Sequence, residues 1–194
     1  MNTDKSNENR KLAGENPQLK KAAFIDRDGT LIEEVNFLAR VEDLRLFPFT
    51  IEAVELLKKN DFLIVVITNQ SGVRRGIFSE NDMRAIHDEI QAQLNGQIDA
   101  FYFCPHLPDE NCACRKPKTQ MIERACADFA IGLENSWMIG DKKLDIETGF
   151  NAKTKTALVL TGYGMKEKEK LNEKPDLIAE NLLEAAKVIC FRRN

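Results

Sequence analysis

The chain has 194 residues and a formal net charge of −3. That is enough length for one domain with a sizeable core, and too little positive charge for affinity that rests on a broad cationic field, so no nucleic-acid partner is expected. No apolar run approaches the roughly 20 residues that cross a bilayer, and no membrane partner is expected either.

Residues 1–20 are polar and poor in apolar groups, and read as a flexible tail ahead of a domain over 21–194. The tail has no hydrophobic stretch like that of an export signal. Five cysteines without such a signal point to a reducing compartment, taken as the cytoplasm.

Past the tail, AAFI, FLIVVIT, AFYF, SWMIG and KTALVLT are short and rich in β-branched or aromatic residues, and predict buried strands. TIEAVELLKKN, SENDMRAIHDEIQAQLN and TQMIERACADFA carry helical periodicity, and PDLIAENLLEAAKVICF predicts a last short strand and a closing helix. Ser79 can cap the second helix, with Asp82 in the place of the capping-box glutamate. His87 lies on that helix among polar residues and is expected to be solvated. Strands alternating with helices predict an α/β fold, a doubly wound, Rossmann-like parallel sheet in a single domain.

The strand ends carry chemistry. AAFI runs into Asp26, FLIVVI into Thr68-Asn69-Gln70-Ser71, AFYF into Cys104 and SWMIG into Asp141. In an open parallel sheet, ligands gather beyond those carboxyl ends. Asp26 and Asp28, two apart in extended backbone, can face one site. Nearby carboxylates repel unless a cation lies close or one is protonated, and Mg²⁺ is the natural cation because it favours oxygen ligands shared with water and phosphate. Asp141 supplies a third acid. Helix and turn capping is the plain alternative for each acid taken singly.

Cys104, His106, Cys112 and Cys114 offer three thiolates and one imidazole, the donor set of a closed structural zinc site; an iron centre or a disulfide are the alternatives. Arg115 and Lys116 follow directly, so a metal clip there would fix where two cations point. Cys126 and Cys190 receive no function.

FIDRDGTL, ITNQSG, CRKP and GDKKLD resemble, in order and spacing, the four motifs of the haloacid dehalogenase-type phosphatases. The resemblance implies that Asp26 is the nucleophile and Asp28 the general acid and base. It implies that Thr68 and Lys116 stabilise the phosphoryl group, that Asp26, Asp141 and the Asp28 carbonyl hold Mg²⁺, and that Asp145 supports them. The zinc loop and TNQSG are similar to a subgroup without a cap domain, which acts on heptose bisphosphates or on histidinol phosphate. For that subgroup the resemblance places Glu34, Val35, Asn36, Phe37, Asn69, Gln70, Ser71, Arg75, Arg115 and Lys142 against the substrate. The gaps from Asp28 to Thr68 and from Ser71 to Arg115 leave no room for a second globular unit, so the site is expected to be open. Arg74, Arg75, Arg115, Lys118 and Lys142 exceed what one phosphoryl group needs and favour a bisphosphate, with Arg74 and Lys118 as solvated surface charges in the plainer view. The expected partner is a small phosphorylated sugar, and the expected state a monomer. A DNA 3'-phosphatase shares DxDGT and TNQxG, but the acidic balance and the lack of an aromatic-basic groove argue against it.

Overall fold

The computed structural model describes residues 19–191. The expected tail lies outside the described residues as far as position 18. At Lys20 the backbone is already paired: its N–H donates to the Ala130 carbonyl at 3.0 Å, and its carbonyl accepts from Gly132 at 2.8 Å.

Six parallel strands form one sheet in the order β3-β2-β1-β4-β5-β6. They are β1 (Lys21–Ile25), β2 (Phe62–Asn69), β3 (Ala100–Cys104), β4 (Trp137–Gly140), β5 (Lys155–Val159) and β6 (Leu177–Ala179). Because side chains alternate along a strand, Ala23 and Ile25 of β1 join one apolar cluster, with Ile64 and Val66 of β2 and Ile139 of β4. Ala22 and Phe24 join the other, with Val65, Ile67 and Met138. Both faces are therefore covered, and every strand of the centre reads as a continuous apolar run.

The first cluster is closed by α1 (Thr50–Lys59), α2 (Glu80–Gln93) and the final helix, through Val54, Leu57, Ile86, Ile90, Leu182 and Ala186. The second is closed by α3 (Gln120–Phe129) through Met121, Ile122 and Ala125, and by Ala152 of α4 (Lys143–Ala152). A short α5 (Gly164–Glu167) precedes α6 (Leu182–Phe191). No helix among the described residues is long and apolar enough to cross a membrane.

The anticipated helices and strands form. Ser79 caps α2, accepting from the Asp82 N–H while Asp82 accepts from the Ser79 N–H. Such a cap is worth about 1 kcal/mol. α4 was not anticipated, because its buried face is Asp145, Ile146, Thr148, Gly149 and Ala152, polar and small residues that leave no hydrophobic stripe to read.

His87 departs from expectation. Met83, Ile86, His87 and Ile90 form the buried face of α2, the i, i+3, i+4, i+7 spacing of a core-facing stripe. The imidazole stacks on Phe101 with ring centroids 4.4 Å apart. Burial, with the Arg27 charge adding to it, depresses its pKa to about 3. The folded chain thus holds His87 neutral where the unfolded chain would protonate it, so stability falls as pH drops below the unfolded value of about 6.5. The expected cost is about 2 kcal/mol between about pH 7 and about pH 5. Urea titrations of wild type and His87→Gln at those two pH values measure it; the acid loss should shrink in the variant by that amount.

Candidate active site

The strand order reverses at β1, whose neighbours are β2 and β4, and a crevice beyond the carboxyl ends opens at such a reversal. Asp26 follows β1 there, its N–H donating to the Ile139 carbonyl at 2.9 Å. Thr68 ends the apolar run of β2, and Asp141 follows β4 directly.

Three acids and one lysine meet beneath this crevice. Asp26, Asp141 and Asp145 each bring a carboxylate oxygen within 4.8 Å of the others. Lys116 Nζ lies 2.9 Å from Asp26 Oδ1 and 2.6 Å from Asp145 Oδ1, and donates to the Ile67 carbonyl at 3.1 Å. All four residues are buried. Burial alone would favour neutral Lys116, but the Asp145 and Asp26 carboxylates outweigh it and raise its pKa. Burial raises Asp145 to about 6 against the pull of Lys116. Burial raises Asp141 to about 8, and the charge of Asp26 adds to the rise.

Asp141 Oδ2 accepts from the Tyr163 N–H at 2.8 Å, but Asp141 Oδ1 is buried with no hydrogen-bond partner. A buried carboxylate oxygen left unpaired is costly. It sits among hard oxygen donors of like charge, which is the donor chemistry of a small hard divalent cation. The residues present fit such an ion.

The segment that seats Asp141 carries a sequence signal of its own. Thr161-Gly162-Tyr163-Gly164 follows the buried strand β5 as polar and glycine punctuation, as the other site segments follow theirs. Thr161 Oγ1 donates to the Gly29 carbonyl at 2.6 Å. Gly162 has φ +53°, and a Cβ on it would stand 2.2 Å from Asp141 Oδ2; a Cβ on Gly29 (φ +82°) would stand 2.3 Å from the same atom. Two glycines thus leave the space that Asp141 fills.

Above the acids, Asp28, Glu34, Asn36, Phe37, Asn69, Gln70, Ser71 and Lys142 line a cavity of about 280 Å³ together with Arg27, Leu38 and Tyr163. Asp28 accepts from Arg27 Nε at 3.0 Å, Arg27 Nη2 at 2.9 Å and Gln70 Nε2 at 2.8 Å. Burial raises the Asp28 pKa, but the Arg27 charge and these bonds prevail and lower it. Gln70 Nε2 also reaches Thr68 Oγ1 at 2.8 Å. Asn69 clasps the backbone of Lys116, accepting from its N–H at 3.0 Å and donating to its carbonyl at 3.3 Å. Lys142 pairs with Glu34 at 3.0 Å, and its Nζ lies 5.0 Å from the centre of the Tyr163 ring. Burial opposes its charge, but Asp26, Asp141 and Glu34 raise its pKa.

Other sequence candidates lie elsewhere. Val35 borders a neighbouring groove with Ala39, Asp43 and Arg45. Arg75 is exposed. Arg115 donates to the His106 carbonyl at 3.0 Å. Arg74 pairs with Glu110 at 2.7 Å, and Lys118 donates to Asn111 and to the Cys112 carbonyl. The last three cations therefore brace the cysteine loop, which thins the charge argument for a second phosphate.

In that loop, Cys104 Sγ lies 3.5 Å from both His106 Nδ1 and Cys112 Sγ, and Cys114 Sγ lies 3.3 Å from His106 Nδ1 and 3.6 Å from Cys112 Sγ. A tetrahedral ion with metal–sulfur bonds of about 2.3 Å would set such edges near 3.6–3.8 Å, so the four donors fit one. All five cysteines are free of disulfides.

Residues 113–185 match the HAD-hydrolase-like family model. The chain is 39% identical over 150 residues to the D-glycero-beta-D-manno-heptose-1,7-bisphosphate 7-phosphatase of Helicobacter pylori, covering 75% of this chain and 86% of that one. The chain belongs to the haloacid dehalogenase-like hydrolases. The enzyme of the same name from Pseudomonas putida is 33% identical over 171 residues, covering 86% of this chain and 98% of the relative. The D,D-heptose 1.7-bisphosphate phosphatase of B. bronchiseptica, solved with magnesium and phosphate, superposes with a TM-score of 0.84 at 29% identity, covering 89% and 99% of the two chains. Membership makes the chain a phosphatase of this family, with the acid cluster at the carboxyl edge of its sheet.

The glycine cradle generates a test. Gly162→Ala should drive Asp141 from its place and cut kcat/KM at least about a hundredfold. Phosphatase assays over a Mg²⁺ titration measure it, with near wild-type activity as the contrary result.

Proposed function

We propose that this chain is a magnesium-dependent phosphatase that removes the 7-phosphate of D-glycero-D-manno-heptose 1,7-bisphosphate through an aspartyl-phosphate on Asp26. The substrate reading is supported by the names of the relatives that align along most of the chain. The observation that carries the mechanism is the pairing of Asp26 with buried Lys116 at 2.9 Å beside an Asp141 oxygen that lacks a partner.

The Arg27 N–H at 2.7 Å and Lys116 Nζ both contact Oδ1 of Asp26. Oδ2 makes no hydrogen bond among the described residues and serves as the nucleophile. It attacks phosphorus in line; the Asp26–phosphorus bond forms as the bond to the sugar oxygen breaks. Arg27 keeps Asp28 ionised before substrate binds, so Asp28 takes up its proton as the dianionic phosphate binds beside it. It gives that proton to the leaving oxygen, then takes one from water as the water attacks phosphorus. The second step releases inorganic phosphate and restores the Asp26 carboxylate. Lys116 stabilises charge on the phosphoryl oxygens, assisted by the Thr68 hydroxyl. Asp26, Asp141 and the Asp28 backbone carbonyl would hold Mg²⁺, which would supply positive charge to offset the repulsion between carboxylate and phosphate.

Glu34, Asn36, Phe37, Ser71 and Lys142 contact the sugar at the mouth. Arg75, exposed, and Arg115, once it swings from the His106 carbonyl to which it donates, reach the distal phosphate. Cys104, His106, Cys112 and Cys114 would hold Zn²⁺, which would close the loop that carries Arg115 and Lys116. Residues 21–194 form the catalytic domain of a monomeric cytoplasmic enzyme, since a reducing compartment suits three thiols gathered in one loop.

Asp26→Asn should lower kcat at least about a thousandfold with the thermal midpoint retained; wild-type rates in that variant reject the nucleophile. In the same assay kcat/KM for the heptose bisphosphate should exceed that for histidinol phosphate at least about tenfold, and the reverse order assigns the other substrate. Removal of zinc by chelation should lower thermal stability and activity together. Full activity in protein shown by elemental analysis to be zinc-free would refute the role given to the clip.

A further inference from the structure

Arg27 is the largest fully buried side chain among the described residues, 1% exposed, and stands between the two aspartates of the first motif. A buried guanidinium requires partners for its charge and its fork of donors. Nε and Nη2 both go to Asp28, one to each carboxylate oxygen, in the bidentate arrangement that fixes a carboxylate plane. Nη1 approaches Nε2 of His87 at 3.4 Å. An imidazole beside a guanidinium can only accept there, so Nε2 is bare and the ring neutral, as its depressed pKa requires. The ring is held in turn by its stack on Phe101 and an edge contact to Phe103, centroids 6.4 Å apart.

We propose that Arg27 is a positioning residue for Asp28, and that His87 on α2 holds Arg27 in place. The inference rests on the reading of Asp28 as the residue that moves the proton. That reading needs one carboxyl group to serve two geometries in turn, first the leaving oxygen and then the attacking water. A free aspartate spreads over several rotamers, and each lost alignment costs rate. The fork removes that freedom from one side while Gln70 Nε2 holds Oδ2 from another. Because Asp28 lies at the wall of an open cavity, a clamp built beneath it can orient it without any second domain.

A merely structural Arg27 would also be costly to remove, so the test separates orientation from folding. His87→Phe keeps an aromatic ring for the stack on Phe101 and removes the acceptor; His87→Gln keeps an acceptor of similar reach. Steady-state kinetics well below each variant's thermal midpoint should show kcat about tenfold lower for His87→Phe with KM within about twofold. For His87→Gln, kcat should stay within about threefold of wild type. Arg27→Ala should lose at least about a hundredfold in kcat, and added guanidinium, entering from the cavity that Arg27 borders, should restore about tenfold. Asp28→Asn is the control: wild-type rates there would remove the underlying reading of Asp28. With Asp28→Asn inactive, equal kcat for His87→Phe and wild type, or a loss in His87→Phe carried by KM alone, would overturn the clamp. Equal losses in the Phe and Gln variants would overturn it as well.

Discussion

One buried ammonium holds the site together. Lys116 Nζ touches Asp26 and Asp145 with almost no solvent access, and with Asp141 beside them three acids would otherwise repel each other in a medium that screens poorly. Removing the ammonium would leave the acids uncompensated, at a cost of about 3–5 kcal/mol. The parallel sheet makes the arrangement attainable, because its order reverses at β1 and brings the ends of β1, β2 and β4 to one crevice.

Lys116 comes from a loop rather than a strand end, so its reach must be fixed by other means. Asn69 grips its backbone from β2 on both sides. The cysteine loop ends directly before it, and is tied by Arg74, Arg115 and Lys118. Three thiols and an imidazole stand in front of Arg115 and Lys116, and a metal held there would limit the entropy of the segment that delivers the lysine. The same economy is seen at Asp141, where Gly29 and Gly162 surrender side chains to leave it room.

Much of this was legible in the sequence, for definite reasons. Apolar runs that stop at Asp26, Thr68 and Asp141 announce both the strands and what stands beyond them, and the Cys104–Cys114 spacing announces the second cluster. What escaped was whatever depends on three-dimensional context. His87 sits among polar neighbours along the chain, yet its spacing from Met83 and Ile90 puts it on the buried face. α4 hid because it buries Asp145, Thr148 and Gly149 in place of an apolar stripe. Arg74 and Lys118 could be counted as cations but not located, since long side chains reach partners far from their own positions. Thr161 reads as the end of a strand, and only the fold shows that the segment from Thr161 to Gly164 supports Asp141.

The central claim is that phosphorus passes through the carboxylate at the end of β1. A crystal structure of the protein with Mg²⁺ and beryllium fluoride tests it most directly. The account predicts a tetrahedral beryllofluoride bonded to Asp26 Oδ2, with a fluoride within hydrogen-bond reach of Lys116. Beryllofluoride bonded to another side chain, or an unaltered Asp26 in crystals that bind the ion elsewhere, would contradict it.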